Sequence, residues 1–302
     1  SSMPTVRLLL EAEADVDAQD ADGCTCLHLA AEHSTVECVR LLLEHGADLA
    51  MCDGHGRVPL HRAAQEGRLE VCQVLLQEGE QLLDARDSTR HTPLHLAMAN
   101  GKAELCSLLI DRGADLRATN HAGQTPLHLA AAAGCPTELV RKMLQHGADP
   151  TQLDAAAHSP AFYALQLRLV PMAATLLLMP HESFESVGPD GSTPLHQAAR
   201  LGLVDAAQQL VQQNRLPPSS FLDAVDAEGR TPLLLACKRA SAPLVELLVS
   251  KGASVNAPAK NGDTCLMAGL RSQCVELLRV LLEANAELSR DQLAEHASAL
   301  HF

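Results

Sequence analysis

The tetrapeptide Thr-Pro-Leu-His stands at Thr92–His95, Thr125–His128 and Thr193–His196, and in the altered form Thr-Cys-Leu-His at Thr25–His28. Looser copies stand at Val58–His61, Ser159–Phe162, Thr231–Leu234 and Thr264–Met267. The first residues of these eight copies are 33, 34, 33, 34, 34, 38 and 33 residues apart. So regular a period is the mark of a repeat array. In an array each module packs on its neighbours alone, so a chain of 302 residues need not close around one core. A stacked array also offers a long surface rather than a pocket, and that narrows the functions open to the chain.

Apolar residues make up 47% of the chain, mostly Leu and Ala, while aromatic residues make up 2% and Trp is absent. Thin layers of Leu and Ala between stacked helices need no large rings. No apolar run approaches the ~18–20 residues of a membrane span; Met172–Met179 is far too short, and no charged-then-apolar signal segment opens the chain. The net charge is −14; residues 1–150 hold 22 acids and 12 bases, and residues 151–302 hold 15 and 11. Nucleic-acid binding calls for clustered positive charge and is not expected here. The ten cysteines are irregularly spaced. Cys38, Cys72 and Cys106 fall in apolar helical stretches and read as small buried hydrophobes, reduced and intracellular. Cys24-x-Cys26 lacks a second pair at zinc-finger spacing, so no metal is expected.

Residues 122–155 exemplify one unit. Asn120–Gly123 is a turn signal, with glycine supplying positive φ. Thr125-Pro126 opens a helix, Thr as cap and Pro at the first helical position. Leu127, Ala130 and Ala131 keep that helix thin, and Gly134 breaks it. Leu139, Val140, Met143 and Leu144 recur at helical spacing and mark a second helix, which Gly147-Ala148-Asp149 ends. The unit is helix–turn–helix–hairpin. The same ending recurs as His45-Gly46-Ala47-Asp48, Arg112-Gly113-Ala114-Asp115 and Lys251-Gly252-Ala253-Ser254.

With these motifs the chain resembles the ankyrin-repeat family from residue 4 to about 289. The resemblance implies an all-α solenoid of stacked helix-turn-helix units with short β-hairpin loops, acting as a protein-binding surface. We expect residues 1–3 to be a cloning remnant and residues 4–302 to form one domain. Within it lie a half-repeat at 4–21, eight repeats over about 22–289 and a polar cap at 290–302. The leading half-repeat suggests an excised fragment. Ser159-Pro160-Ala161-Phe162, Pro180–Pro189 and the insertion Asn214–Asp223, with Pro217-Pro218, depart from the pattern. A weak interface divides the cooperativity of a stack, so unfolding is expected to split near residues 156–189.

Catalytic and metal motifs are not found. His28, His61, His95, His128 and His196 occupy one repeat position; the resemblance implies that they brace adjacent hairpins. There is no phosphate-binding glycine loop or nucleophile elbow. Asp15, Asp17, Asp20 and Asp22 fail as a calcium loop, because Gly23 is misplaced and no Glu closes it. No enzyme activity and no cofactor are expected.

The family resemblance implies partner binding on the concave side, by hairpin tips and the exposed ends of first helices. The positions selected are Glu32, His33, Arg57, Gln65, Glu66, His91, Ala99, Asn100, Ala132 and Ala133 in the first half, then Arg200, Arg230, Lys238, Arg239 and Arg271. This predicts a surface running from acidic, through small and neutral, to a basic strip that Lys260 extends, fit for an acidic or phosphorylated segment. Phe162, Tyr163 and Phe184 form a second candidate, either as an interface anchor or as filler for a lost hairpin. Asn256, in Ser254-Val255-Asn256, resembles a hairpin asparagine hydroxylated in some ankyrin proteins, although Ser254 departs from the preferred acid. The expected function is a non-catalytic scaffold or adaptor, monomeric as an isolated domain, in cytoplasm or nucleus. Two other classes are a sequestering inhibitor of a basic-segment protein such as a transcription factor, and the targeting arm of a larger enzyme such as a ubiquitin ligase. A methyl-lysine reader needs an aromatic cage that a chain with one Tyr and no Trp is ill equipped to build.

Overall fold

In a computed structural model of the chain, residues 3–33, 35–177, 190–213, 221–284 and 286 are described. They hold seventeen α-helices and no strand. Phe184, the Pro180–Pro189 replacement, Pro217-Pro218 and the cap at 290–302 lie outside the described residues. The chain divides into two compact units, Ser1–Ala156 and Ala157–Phe302.

The first unit contains α1 (Met3–Glu11), α2 (Cys26–His33), α3 (Val36–Glu44), α4 (Pro59–Glu66), α5 (Leu69–Glu78), α6 (Pro93–Ala99), α7 (Ala103–Asp111), α8 (Pro126–Ala132) and α9 (Thr137–Gln145). The second contains α10 (Pro160–Gln166), α11 (Val170–Leu177), α12 (Pro194–Leu201), α13 (Val204–Gln213), α14 (Pro232–Lys238), α15 (Ala242–Ser250), α16 (Cys265–Ser272) and α17 (Val275–Glu283). The first helices of successive repeats pack on one another: α2, α4, α6 and α8 in one unit, and α10, α12, α14 and α16 in the other. The second helices pack on one another in a second row in each unit.

The local reading of residues 122–155 holds. Thr125 is extended at ψ 167, Pro126 takes the first helical position, and the chain leaves α8 through Gly134 at φ 66. After α9, Gly147 turns at φ 89 and the Ala148 N–H returns to the Met143 carbonyl at 3.0 Å, closing the helix end. The predicted hairpins are tight turns: Asp20 N–H bonds the Cys24 carbonyl at 3.0 Å, and Asp53 N–H the Arg57 carbonyl at 2.9 Å. Each acid caps its own turn, as where Asp53 Oδ1 accepts the His55 N–H at 2.8 Å.

The core is thin, as the composition predicts. The tetrapeptide leucines Leu27, Leu60, Leu94, Leu127, Leu195 and Leu233 are all at most 1% exposed, and each is followed by one or two buried alanines in the same helix. Each buried Leu contributes roughly 1.5–3 kcal/mol. Alanine beside it lets neighbouring helices approach without rings to fill the gap. By contrast, α1 buries no residue, and Leu8 and Leu9 are exposed.

Fingertips are tied in series within each unit. Gly54 N–H bonds the Asp22 carbonyl, Ser88 N–H that of His55, His121 N–H that of Thr89, and Ala155 N–H that of Ala122. In the second unit Ala227 N–H bonds the Asp190 carbonyl and Lys260 N–H that of Glu228. The fingertips are thus held as rows that present side chains at a fixed pitch.

Candidate interaction surface

The repeated histidines hold the frame rather than a ligand. In His28, Nδ1 accepts the Thr25 N–H at 3.2 Å, so Nε2 carries the proton and donates to the Arg57 carbonyl of the next repeat at 2.8 Å. The same arrangement joins His61 to His91, His95 to Gln124 and His196 to Arg230. His128 is buried and bonded likewise to Thr125. Burial pushes the protonation of His28, His61 and His196 below its ordinary range, and that of His95 down to about 4. Desolvation of a charged ring outweighs the carbonyl that would favour it.

In the first unit the predicted acidic end proves to be an ion-pair lattice. Glu32 contacts His33 at 3.1 Å, but its other oxygen meets Arg62 at 2.6 Å. Arg62 also pairs with Asp53 at 2.7 Å, and Arg57 meets the same carboxylate at 3.0 Å. Burial would raise the Asp53 carboxyl, but the Arg57 N–H, the Arg62 guanidinium and the His55 N–H hold it well below the usual carboxylate range. Arg57 further reaches Gln65 at 3.4 Å, while Glu66 stands exposed. Arg62, four residues into its repeat, is the residue that the sequence positions missed. An acid recurring five residues before the tetrapeptide, at Asp20, Asp53, Asp87 and Asp226, was the available signal for its partner.

Further along this unit, His91 is half-buried, accepts from Asn120 Nδ2 at 3.1 Å and lies edge-on to His95. Asn100 is exposed and folds back on the Leu96 carbonyl. Ala99, Ala132 and Ala133 are exposed, as the shallow neutral stretch requires.

In the second unit the basic residues are present, but most are engaged. Arg200 meets Asp190 at 2.6 Å, and Arg230 meets Asp226 at 2.7 Å and Glu228 at 2.6 Å. Lys238 and Arg271 converge on Asp263, each at 2.8 Å. Lys238 and Arg271, working against burial, hold the Asp263 carboxyl down at about 2. Lys260 bonds the Ala227 carbonyl at 2.8 Å. Arg239 is exposed, lies over Gly202 and has no ion pair among the described residues. The strip is therefore largely self-neutralised, and sequence positions alone overstate its charge.

Phe162 stands where most copies hold His and stacks on His158 at 4.0 Å, while Tyr163 meets both rings edge-on. Both aromatic residues are half-buried, so the cluster packs on itself and still presents ring edges. Asn256 is exposed. Its counterparts eight residues before other tetrapeptides brace the next repeat: Asp17 accepts the Asp48 N–H, Asp84 the Asp115 N–H and Asp223 the Ser254 N–H. Among the described residues no group of three or more His, Cys, Asp or Glu could hold a metal ion, and no helix is long and apolar enough to cross a membrane.

Comparison with known proteins agrees with this architecture. A family model described as ankyrin repeats (3 copies) matches residues 1–86, 79–154 and 217–292, and an ankyrin repeat model matches residues 190–219. The B-cell lymphoma 3 protein homolog of Mus musculus is 32% identical over 155 residues, covering 50% of this chain and 33% of that protein. The human transient receptor potential cation channel subfamily A member 1 is 32% identical over 125 residues, covering 41% of this chain and 11% of the channel. Ankyrin repeat protein nuc-2 of Neurospora crassa is 30% identical over 148 residues, covering 49% and 13%. The chain spans a third or less of the length of these relatives. Ankyrin repeats generally mediate protein–protein interaction and are generally non-catalytic. Period, capped helix pairs, histidine braces and family match converge: this chain belongs to the ankyrin-repeat family.

Proposed function

We propose that this chain is a non-catalytic scaffold or adaptor that captures a segment of a partner protein along its fingertips and first-helix ends. The observation that carries the reading is the tethering of fingertips at fixed pitch by backbone bonds, from Asp22 to Ala155 in one unit and from Asp190 to Lys260 in the other. A surface so pre-ordered loses little entropy when a partner docks. In the second unit Arg239 is the exposed cation that such a segment meets first, and the Arg200, Arg230, Lys238 and Arg271 pairs can exchange partners at its margin. An intracellular location, in cytoplasm or nucleus, and a monomeric state belong to the same proposal. The buried thiols Cys72 and Cys106 are pushed up to about 12 by burial and act as apolar filler. Hydroxylation of Asn256 also remains a proposal, supported by its exposure.

Affinity capture with the wild-type chain and with Arg200→Glu/Arg239→Glu, run across a salt series, tests the reading. The expected result is a retained protein whose binding falls with salt and is lost in the variant. Retention unaffected by both changes would remove the basic strip from the function.

A further inference from the structure

Eight residues occupy the place two before a tetrapeptide. Six are glycines in the left-handed region: Gly23, Gly56, Gly123, Gly191, Gly229 and Gly262, with φ between 69 and 79. The reason is steric. A Cβ added at Gly23, Gly56 or Gly123 would fall 2.7–2.9 Å from the backbone nitrogen of the next fingertip. The other two residues are Ala157, at φ 58, and Arg90, at φ 63. Around Arg90 the series tie is kept, since the His121 N–H reaches the Thr89 carbonyl at 3.0 Å. A large side chain has been fitted where the backbone favours none, at a cost on the order of 1 kcal/mol.

Among the described residues no bond to the Arg90 side chain offsets that cost. Arg90 is exposed and, among the described residues, has no ion pair or side-chain hydrogen bond. A second cation stands beside it. Gln19, at the place equivalent to Arg86, sends its side chain to the Gly23 carbonyl at 2.8 Å, and Gly23 is the place equivalent to Arg90. By the same register Arg86 and Arg90 flank one turn. Arg86 is exposed and likewise has no ion pair among the described residues.

The nearby acids form no ion pair with them among the described residues, although the Arg86 charge is near enough to pull on the Asp84 carboxyl. The Asp87 carboxylate is 7% exposed and turned inward, accepting the Thr89 N–H, the Thr89 hydroxyl and the His91 N–H. Asp84 accepts the Asp115 N–H, and Asp115 in turn caps Arg117. On the next fingertip His121 is exposed. Two guanidinium groups without an ion pair among the described residues thus stand at one turn of a chain of net charge −14.

We infer that Arg86 and Arg90, with His121 on the neighbouring fingertip, form a docking site for an acidic segment of a partner protein. The planar forks of two arginines suit carboxylate or phosphate oxygens. The surrounding negative charge repels long polyanions and leaves room for a short acidic stretch. The inference rests on the reading of the chain as a segment-capturing module, but it concerns the first unit and residues that the capture test leaves intact.

The test sets stability against binding. Arg90→Gly should raise the thermal midpoint of the full chain, because glycine relieves the left-handed backbone. It should also weaken binding of a fluorescent ten-residue glutamate-rich peptide by about tenfold, with Arg86→Ser/Arg90→Gly weakening it further. A same-length glutamine peptide serves as control, and a phosphoserine version shows whether carboxylate or phosphate is preferred. A lowered midpoint in Arg90→Gly would make Arg90 a structural residue and overturn the inference. Unchanged peptide affinity in the double variant would overturn it too, even if affinity capture still retained a protein. Tighter, Arg90-dependent binding of a single-stranded oligonucleotide of equal charge would reassign the site to nucleic acid.

Discussion

The most consequential single residues are the buried histidines. His28, His61, His95 and His196 are neutral, donating through Nε2 to the next repeat, and a proton on Nδ1 would expel the backbone N–H that it accepts. The folded chain binds that proton more weakly than the unfolded chain, whose histidines titrate near 6.5. Between pH 6.5 and about 4 the unfolded state therefore takes up more protons, and stability falls as pH falls. Above that window the contribution is complete. Urea midpoints measured from pH 7.5 to 4.5 should decline steadily, and His95→Gln should decline less steeply; a flat profile would contradict this account. Asp53 is the second such residue. Asp53→Ala strips the carboxylate from Arg57, leaves Arg62 with Glu32 alone and removes the acceptor of two turn N–H groups. A loss of about 3 kcal/mol is expected for a half-buried ion cluster broken on one side, measured by denaturant titration.

Helix pairs and turns depend on where a side chain is tolerated. Gly123 turns at φ 72 with the Ala155 nitrogen 2.7 Å from the position of an added Cβ. Gly123→Ala should therefore cost about 2 kcal/mol, from strain and a displaced fingertip. The reverse experiment is available between α14 and α15, where Ala240 holds φ 57 in a place that Gly67, Gly134 and Gly202 fill elsewhere. Ala240→Gly should add about 0.5–1 kcal/mol, the left-handed penalty less the entropy of glycine. Failure of this substitution to raise the midpoint would mean that the alanine methyl packs usefully. The fingertip series is written in the Gly that stands two residues before six of the eight tetrapeptides. The ion pairs between repeats were not, because Glu32 and Arg62 lie 30 residues apart and nothing in their spacing announces the contact.

The chain as a whole carries two compact units meeting in sequence at Ala156 and Ala157. Tyr163 is its only tyrosine, and there is no tryptophan, so intrinsic fluorescence reports the second unit alone. Circular dichroism reports both. The two probes should give different urea midpoints, reflecting separate unfolding of the units. Coincident curves would show one cooperative block and remove the division from the folding behaviour.

The order of amino acids was enough to set the repeat length, the helix–turn–helix–hairpin unit and the family resemblance, which in turn implied the role of the tetrapeptide histidines. Those features arise from contacts within about forty residues, and each is written several times over. The electrostatic character of the surface needed the fold. Charge on a list of exposed positions adds up one way, yet in three dimensions Arg62 cancels Glu32 and Asp263 occupies both Lys238 and Arg271. Which cations have no ion pair among the described residues, as is true of Arg86, Arg90 and Arg239, depends on distances between side chains of different repeats. Coulomb attraction is decided by those distances and by burial, and neither is encoded in any one repeat.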